Sequence, residues 1–212
     1  MKRKISLITL ISIAAFLSYQ IQSFEFILLA LILLSLIFLI LAAVRNYFKS
    51  IPYGYFKVPV LIIIICIAGV IASLFRPYEK VLLESGSVSE KLAYAYSTDQ
   101  NDRKQLRSYI KVLSEIKERD TKRLAQVNRF YEKNEIIEPI DKFYAAFVYH
   151  HSDKSMYYKI ASHLARDAAR DNGLKDNYQV QWLAKASYDR YMLSIGKEEK
   201  YNTQNKMSID LE

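Results

Sequence analysis

Cysteine is almost absent: Cys66 stands alone inside an apolar run, which rules out an intramolecular disulfide and any metal cluster built from several cysteines. Glycine and proline are sparse, five and four in 212 residues, and too scattered for a glycine-rich phosphate loop or a nucleophile elbow. No His-Glu-x-x-His zinc pattern and no internal repeat occurs. The Val/Ile alternation of strands is nowhere sustained. The most telling shortage is of acids near the N-terminus, because residues 1–75 contain only Glu25.

That same stretch holds Lys2, Arg3, Lys4, Arg45, Lys49 and Lys57 as its only basic residues. The remaining 137 residues carry 24 basic and 21 acidic side chains. Much of the formal charge of +8 therefore lies beside apolar runs, where basic residues orient and anchor membrane helices rather than bind nucleic acid. Three spans are expected, at about residues 5–22, 24–44 and 58–75, since crossing a bilayer takes about 20 apolar residues. A cleaved signal peptide is the alternative for the first, but no small-x-small cleavage site follows it. The basic residues at the N-terminus and in the loop from Arg45 to Lys57 place both on the cytoplasmic side of an inner membrane. Three crossings then put residues 76–212 outside the cytoplasm. Tyr47, Phe48, Tyr53, Tyr55 and Phe56 interleave with Lys49 and Lys57 as an interfacial anchor.

Residues 76–212 read as an all-helical soluble domain large enough to bury its own core. Ser87-x-x-Glu90 has capping-box spacing and opens a helix, and Thr98-Asp99 offers a second start. Gln100 to about Asn134 reads as one long helix or two with a break at the charged Lys117–Arg123. Pro139 suits a first helical position, giving a helix from Ile140 to His151. Ser152-Asp153 is expected to cap the next helix, which runs to Asn172 and stops at Gly173. Asp176 or Asn177 caps the last, which ends at Gly196.

Polar residues intrude on the apolar stripes of these helices. Asp189 shares a row with Trp182, Ala186 and Leu193, so its carboxylate needs a partner or a shifted pKa. A structural network and a functional role both satisfy that need. His151 follows Tyr144, Phe147 and Val148 on one stripe, where a histidine is either a hydrogen-bonded boundary residue or an acid–base catalyst. His151-x-Asp153 also has the composition of two metal ligands, with Asp99 or Asp189 as a third, but the spacing to a third ligand is undefined and no metal site is assigned.

The motifs of this half occur in an order that resembles a bacterial family, the domain of unknown function 6624. They are Asp99-Gln100-x-x-Arg103; Asp120 with Arg123 and Val127; Pro139; Phe147 to Asp153 around His150-His151; Asp189-Arg190; Gly196; and Tyr201-Asn202-Thr203-Gln204. The chain departs from the family pattern at His150 and Glu199, where glutamine is usual, and at Asn202, where glycine is. The resemblance implies a helical domain in which Asp99, Gln100, Arg103, His151, Asp153, Asp189, Arg190, Tyr201, Thr203 and Gln204 converge on one pocket. It implies no known activity.

Two functions follow as expectations. One is a membrane-anchored binding or interaction module of the bacterial envelope, with the lipid bilayer, another envelope protein or a small polar ligand as partner and no nucleic acid. The other is a membrane-tethered hydrolase or transferase acting on a polar or anionic substrate, with His151 as general base and Arg190 holding an anionic group. No cofactor is identified by the residues present. Asp189 and Arg190 are expected to share one polar network with His151 and the Tyr201–Gln204 tail.

Overall fold

The computed structural model describes residues 2–204, with side chains from Leu7 onward. The side chains of Lys2, Arg3 and Lys4 thus lie outside the described residues. Among the described residues the chain is all-helical: α1 (Lys2–Gln20), α2 (Phe24–Phe48), α3 (Gly54–Ser73), α4 (Val88–Arg103), a 3-10 turn (Leu106–Tyr109), α5 (Ile116–Glu132), α6 (Pro139–His150), α7 (Ser155–Ala169) and α8 (Tyr178–Ser194). It divides into two compact units: Met1–Tyr78 with Asn101–Ser114, and Glu79–Gln100 with Glu115–Glu212.

In the first unit α3 packs against both α1 and α2, which scarcely touch each other. The side chains turned inward are mostly small or polar, among them Ala14, Ser18, Ser35, Ala42, Cys66 and Ser73, while Leu33, Leu34, Ile40 and Leu41 point outward. Small residues allow close helix approach where no water drives apolar faces together. Gly69 shows how close: a Cβ there would sit 2.4 Å from Leu28 Cδ1 and 3.2 Å from the Ala14 carbonyl oxygen. By length and composition α2 and α3 can cross a membrane, whereas α1 contributes a shorter apolar stretch, Leu7–Gln20. The expectation of three spans is therefore met by two helices among the described residues.

Residues 101–114 join this unit because side chains at the α1–α2 turn take up their backbone groups. Gln22 Nε2 donates to the Asn101 carbonyl at 2.6 Å, and the Leu106 N–H donates to Glu25 Oε1 at 3.1 Å. Glu25 is buried in the first turn of α2 and meets Arg76 Nη2 at 3.2 Å. The same guanidinium donates to the carbonyls of Ser18, Tyr19 and Ile21, the first two being in the last turn of α1, where carbonyls lack intrahelical partners. Gln100 to Asn134 therefore has a break, but at residues 104–115 and not at Lys117–Arg123, which α5 runs through. The chain leaves α4 after Arg103, turns through the 3-10 segment and starts α5 only at Ile116.

The second unit is built on α7, which packs against both α6 and α8. Ala145 and Ala146 of α6 and Ala161, Ala165 and Ala168 of α7 are buried in its core, which also takes Leu92 and Ala95 from α4 and Val127 from α5. Tyr96, Phe143 and Phe147 form a cluster with ring centroids 5.1 to 5.9 Å apart, in the tilted and edge-on arrangements favoured by ring quadrupoles.

The helix ends mix agreement with correction. Ser87 and Glu90 form the reciprocal capping box, with the Ser87 N–H 2.7 Å from Glu90 Oε2 and the Glu90 N–H 3.2 Å from Ser87 Oγ. Asn177 Oδ1 caps α8 by accepting the N–H groups of Gln179 and Val180. Thr98-Asp99 starts no helix, since α4 runs through it and Thr98 Oγ1 bonds back to the Tyr94 carbonyl at 2.9 Å. Lys154, not Ser152 or Asp153, is the N-cap of α7, and α7 stops at Ala169, before Asn172. Gly173 sits beyond that end, its N–H bonded to Asp171 Oδ1.

Candidate functional site

Leu92, Ala95 and Asp99 recur on one buried face of α4, so helical spacing carries a carboxylate into the core lining. Arg119, Arg123 and Gln126 do the same on α5, and Arg123 is fully buried. These charges are compensated by one another. Arg123 Nη1 lies 3.9 Å from Asp99 Oδ1 and 3.0 Å from Asp120 Oδ1, and its Nε donates to Thr98 Oγ1 at 3.2 Å. Removing one member of such a set strands a buried charge, which costs more than the pairing itself stabilises.

His151 completes the set. It is the C-cap residue of α6, and its Nδ1 lies 2.9 Å from Asp99 Oδ2, with the Asp99 side chain 2% exposed and that of His151 20% exposed. Gln100 Nε2 donates to the same Asp99 oxygen at 2.9 Å. A proton held on Nδ1 by the carboxylate leaves Nε2 of the neutral ring as the nitrogen carrying the lone pair. His151 lines a cleft of about 360 Å³, together with Ile116, Lys117, Asp120, Thr121 and Leu124 of α5, Val148 of α6, and Ser152 and Asp153. This wall offers an oriented imidazole, two carboxylates, an ammonium and two hydroxyls above an apolar floor. Side chains of these types can hydrogen-bond a polar molecule.

Asp189 and Arg190 build a second, separate arrangement. Asp189 is fully buried, and its carboxylate accepts the N–H groups of Lys200, Tyr201 and Thr203 at 2.9 to 3.1 Å and the Thr203 hydroxyl at 2.8 Å. Burial by itself raises its pKa, but the Thr203 hydroxyl and the three backbone donors outweigh burial and hold it below the usual aspartate value. Arg190 Nε donates to Gln204 Oε1 at 3.2 Å and Nη1 to the His150 carbonyl at 2.6 Å, while its guanidinium carbon lies 5.7 Å from the centre of the Tyr158 ring. Gln204 Nε2 donates to the Ala186 carbonyl at 3.2 Å. The chain returns because Gly196, at φ +72°, closes α8 with bonds from its own N–H to Leu193 and from the Lys197 N–H to Met192, a Schellman ending. Asn202 takes the left-handed conformation, φ +51°.

The ten residues expected to converge therefore divide. His151 and Asp153 line the cleft, with Asp99 bonded to His151 and Gln100 to Asp99. Asp189, Arg190, Thr203 and Gln204 strap the chain after α8 onto that helix. Tyr201 joins the strap through its N–H, with its ring 5.8 Å from that of Tyr188. Arg103 clusters with residues 101–114 in the other unit, where its carbonyl accepts from Tyr109 Oη. The two arrangements touch through the Arg190 bond to the His150 carbonyl, one residue before His151. Among the described residues no group of three or more His, Cys, Asp and Glu is placed to hold a metal ion.

Asp120, Lys117 and Thr121 were missed as cleft residues because Lys117–Arg123 reads as a charged break between two helical patterns. The 4 and 3 spacing of Arg119, Arg123 and Gln126 on one face is the signal that points inward. No protein-family model matches the chain, and no match was found among curated proteins or among solved structures.

Proposed function

We propose that the protein is a membrane-anchored helical binding module of the bacterial envelope, and that its ligand is a small polar molecule taken up in the cleft at His151. One observation carries this reading: a largely buried imidazole, 20% exposed and fixed by the buried Asp99 at 2.9 Å, lines a cleft of about 360 Å³. A histidine needed only for packing has no reason to line such a space.

The anchoring part of the proposal takes all three N-terminal helices as spans. Supporting it are the outward apolar and inward small side chains of α1–α3, the reverse of a water-soluble bundle. Orientation follows the basic residues at the N-terminus and at Arg45, Lys49 and Lys57, which place those segments in the cytoplasm and residues 76–212 outside it.

A second reading is favoured by the Asp99–His151 pair itself. A membrane-tethered hydrolase or transferase would use His151 Nε2 as general base toward water or a ligand hydroxyl, with Asp99 keeping the proton on Nδ1. A thermal-shift screen of polar metabolites on the detergent-solubilised full chain tests both. A ligand that stabilises the parent should lose its effect in His151→Ala and in Thr121→Trp, which fills the cleft. A stabilising ligand indifferent to both substitutions binds elsewhere and sinks the cleft assignment. Conversion of the bound ligand by the parent, abolished in His151→Ala, would establish the enzymatic reading.

A further inference from the structure

From the first unit we infer that a groove between α2 and α3 binds an anionic phospholipid, with one acyl chain along the helices and the phosphate at Arg45 and Lys49. This rests on the membrane-anchored reading and extends it from general anchoring to a defined lipid site.

Two adjoining spaces carry the inference. An apolar groove of about 550 Å³ runs between the helices, lined by Leu34, Phe38, Val58 and Ile62 among others. A second cleft of about 390 Å³ is lined by the basic Arg45 and Lys49 with Ser50 and Ile51. Pro52 and Tyr55 belong to both linings, so the two spaces adjoin. Tyr55 stands over Phe38 with ring centroids 6.4 Å apart and planes within 5°, placing a phenol where an apolar lining gives way to a basic one, as at membrane interfaces.

Charge selects the occupant. Arg45 and Lys49 are exposed, and among the described residues neither side chain has an ion-pair partner. The only acid in residues 1–75 is Glu25; it sits at the opposite end of α2, about 30 Å away at about 1.5 Å per residue. An amphiphile with an apolar tail and a phosphate head satisfies both spaces at once, and basic pockets between membrane helices on the cytoplasmic side suit anionic headgroups. Ordinary positive-inside anchoring would spread its attraction over Lys57 as well, although Lys57 lines neither space.

The test is native mass spectrometry of the full chain after equilibration with equal amounts of phosphatidylglycerol and phosphatidylcholine. The parent should retain phosphatidylglycerol with a preference of about 30-fold, the effect of two basic residues at a surface. Arg45→Ala/Lys49→Ala, both exposed positions, should lose that preference, and Leu34→Trp should lower retention while keeping it. Lys57→Ala should match the parent, and glycerol phosphate without acyl chains should not compete. Equal retention of both lipids by the parent, an equal loss in Lys57→Ala, or competition by glycerol phosphate would overturn the site. Alkaline carbonate extraction of native membranes separates the two levels. A chain released by carbonate removes the membrane reading and this inference with it, whereas a chain that stays inserted but shows no preference removes this inference alone.

Discussion

Asp189 occupies a row of apolar residues and is neutralised by no side-chain cation among the hydrogen bonds of its cage; its charge is spread over three backbone N–H groups and the Thr203 hydroxyl. Asparagine in its place keeps one acceptor and turns an NH₂ toward those donors. Asp189→Asn should therefore cost about 3 kcal/mol of unfolding free energy near neutral pH, the scale of lost hydrogen bonds to a buried charged group. The pH dependence has a defined sign. A carboxylate held below its usual value of 3.8 in the folded chain contributes stability at pH values above the unfolded value. That contribution disappears as pH falls through the folded pKa. Urea unfolding should show a parent–variant gap that is full at about pH 7 and has begun to shrink at about pH 3; an unchanged gap would mean that the cage does not lower the carboxyl pKa. The position of Asp189 was legible in its spacing from Trp182 and Ala186. Its partners were not, because backbone N–H groups at residues 200–203 leave no mark on the sequence. Arg123 shows the converse: a side chain in the charged Lys117–Arg123 stretch is fully buried because Asp120, three residues earlier, and Asp99, on another helix, compensate it.

Three helix ends were legible from local signals, although Thr98-Asp99, Ser152-Asp153 and Gly173 did not mark the ends expected of them. The Ser87–Glu90 box, the Asn177 cap and the glycine after α8 are all contained within a few residues, and each does in the fold what its spacing implies. Residues 101–114 were not legible. Leu106, Tyr109, Ile110 and Leu113 keep helical spacing, but the contacts that hold this stretch in another conformation come from Gln22 and Glu25, about 80 positions earlier. The fit of α3 between its neighbours was also invisible in composition, since a single missing Cβ permits it. Gly69→Leu should force α1 away from α3, because the Ala14 carbonyl, as backbone, cannot yield as the Leu28 side chain can; overpacking of this kind costs about 1 to 3 kcal/mol. The lone cysteine reports on this. Cys66, buried one turn earlier on α3, should react with maleimide much faster in Gly69→Leu than in the parent, and equal labelling rates would show that the interface tolerates the larger side chain.

For the whole chain, the coarse division was legible from charge alone: an N-terminal part with a single acid and a nearly neutral remainder. The exact seam was not, since residues 101–114 return to the first unit. Basic residues also set the topology expected of the chain. Alkaline phosphatase fused after Glu212 should be active, and a reporter that functions only in the cytoplasm should be silent; the reverse result would invert the orientation. The clamp at the α1–α2 turn imposes an order on synthesis. Glu25 and Arg76 are 51 positions apart, so at translation rates of about 5 to 20 residues per second the carboxylate waits about 3 to 10 seconds for its partner. During that interval the carbonyls closing α1 also lack the guanidinium that later serves them. The first two helices are thus made early and locked late, and a ribosome that pauses before residue 76 leaves the turn between them without its guanidinium.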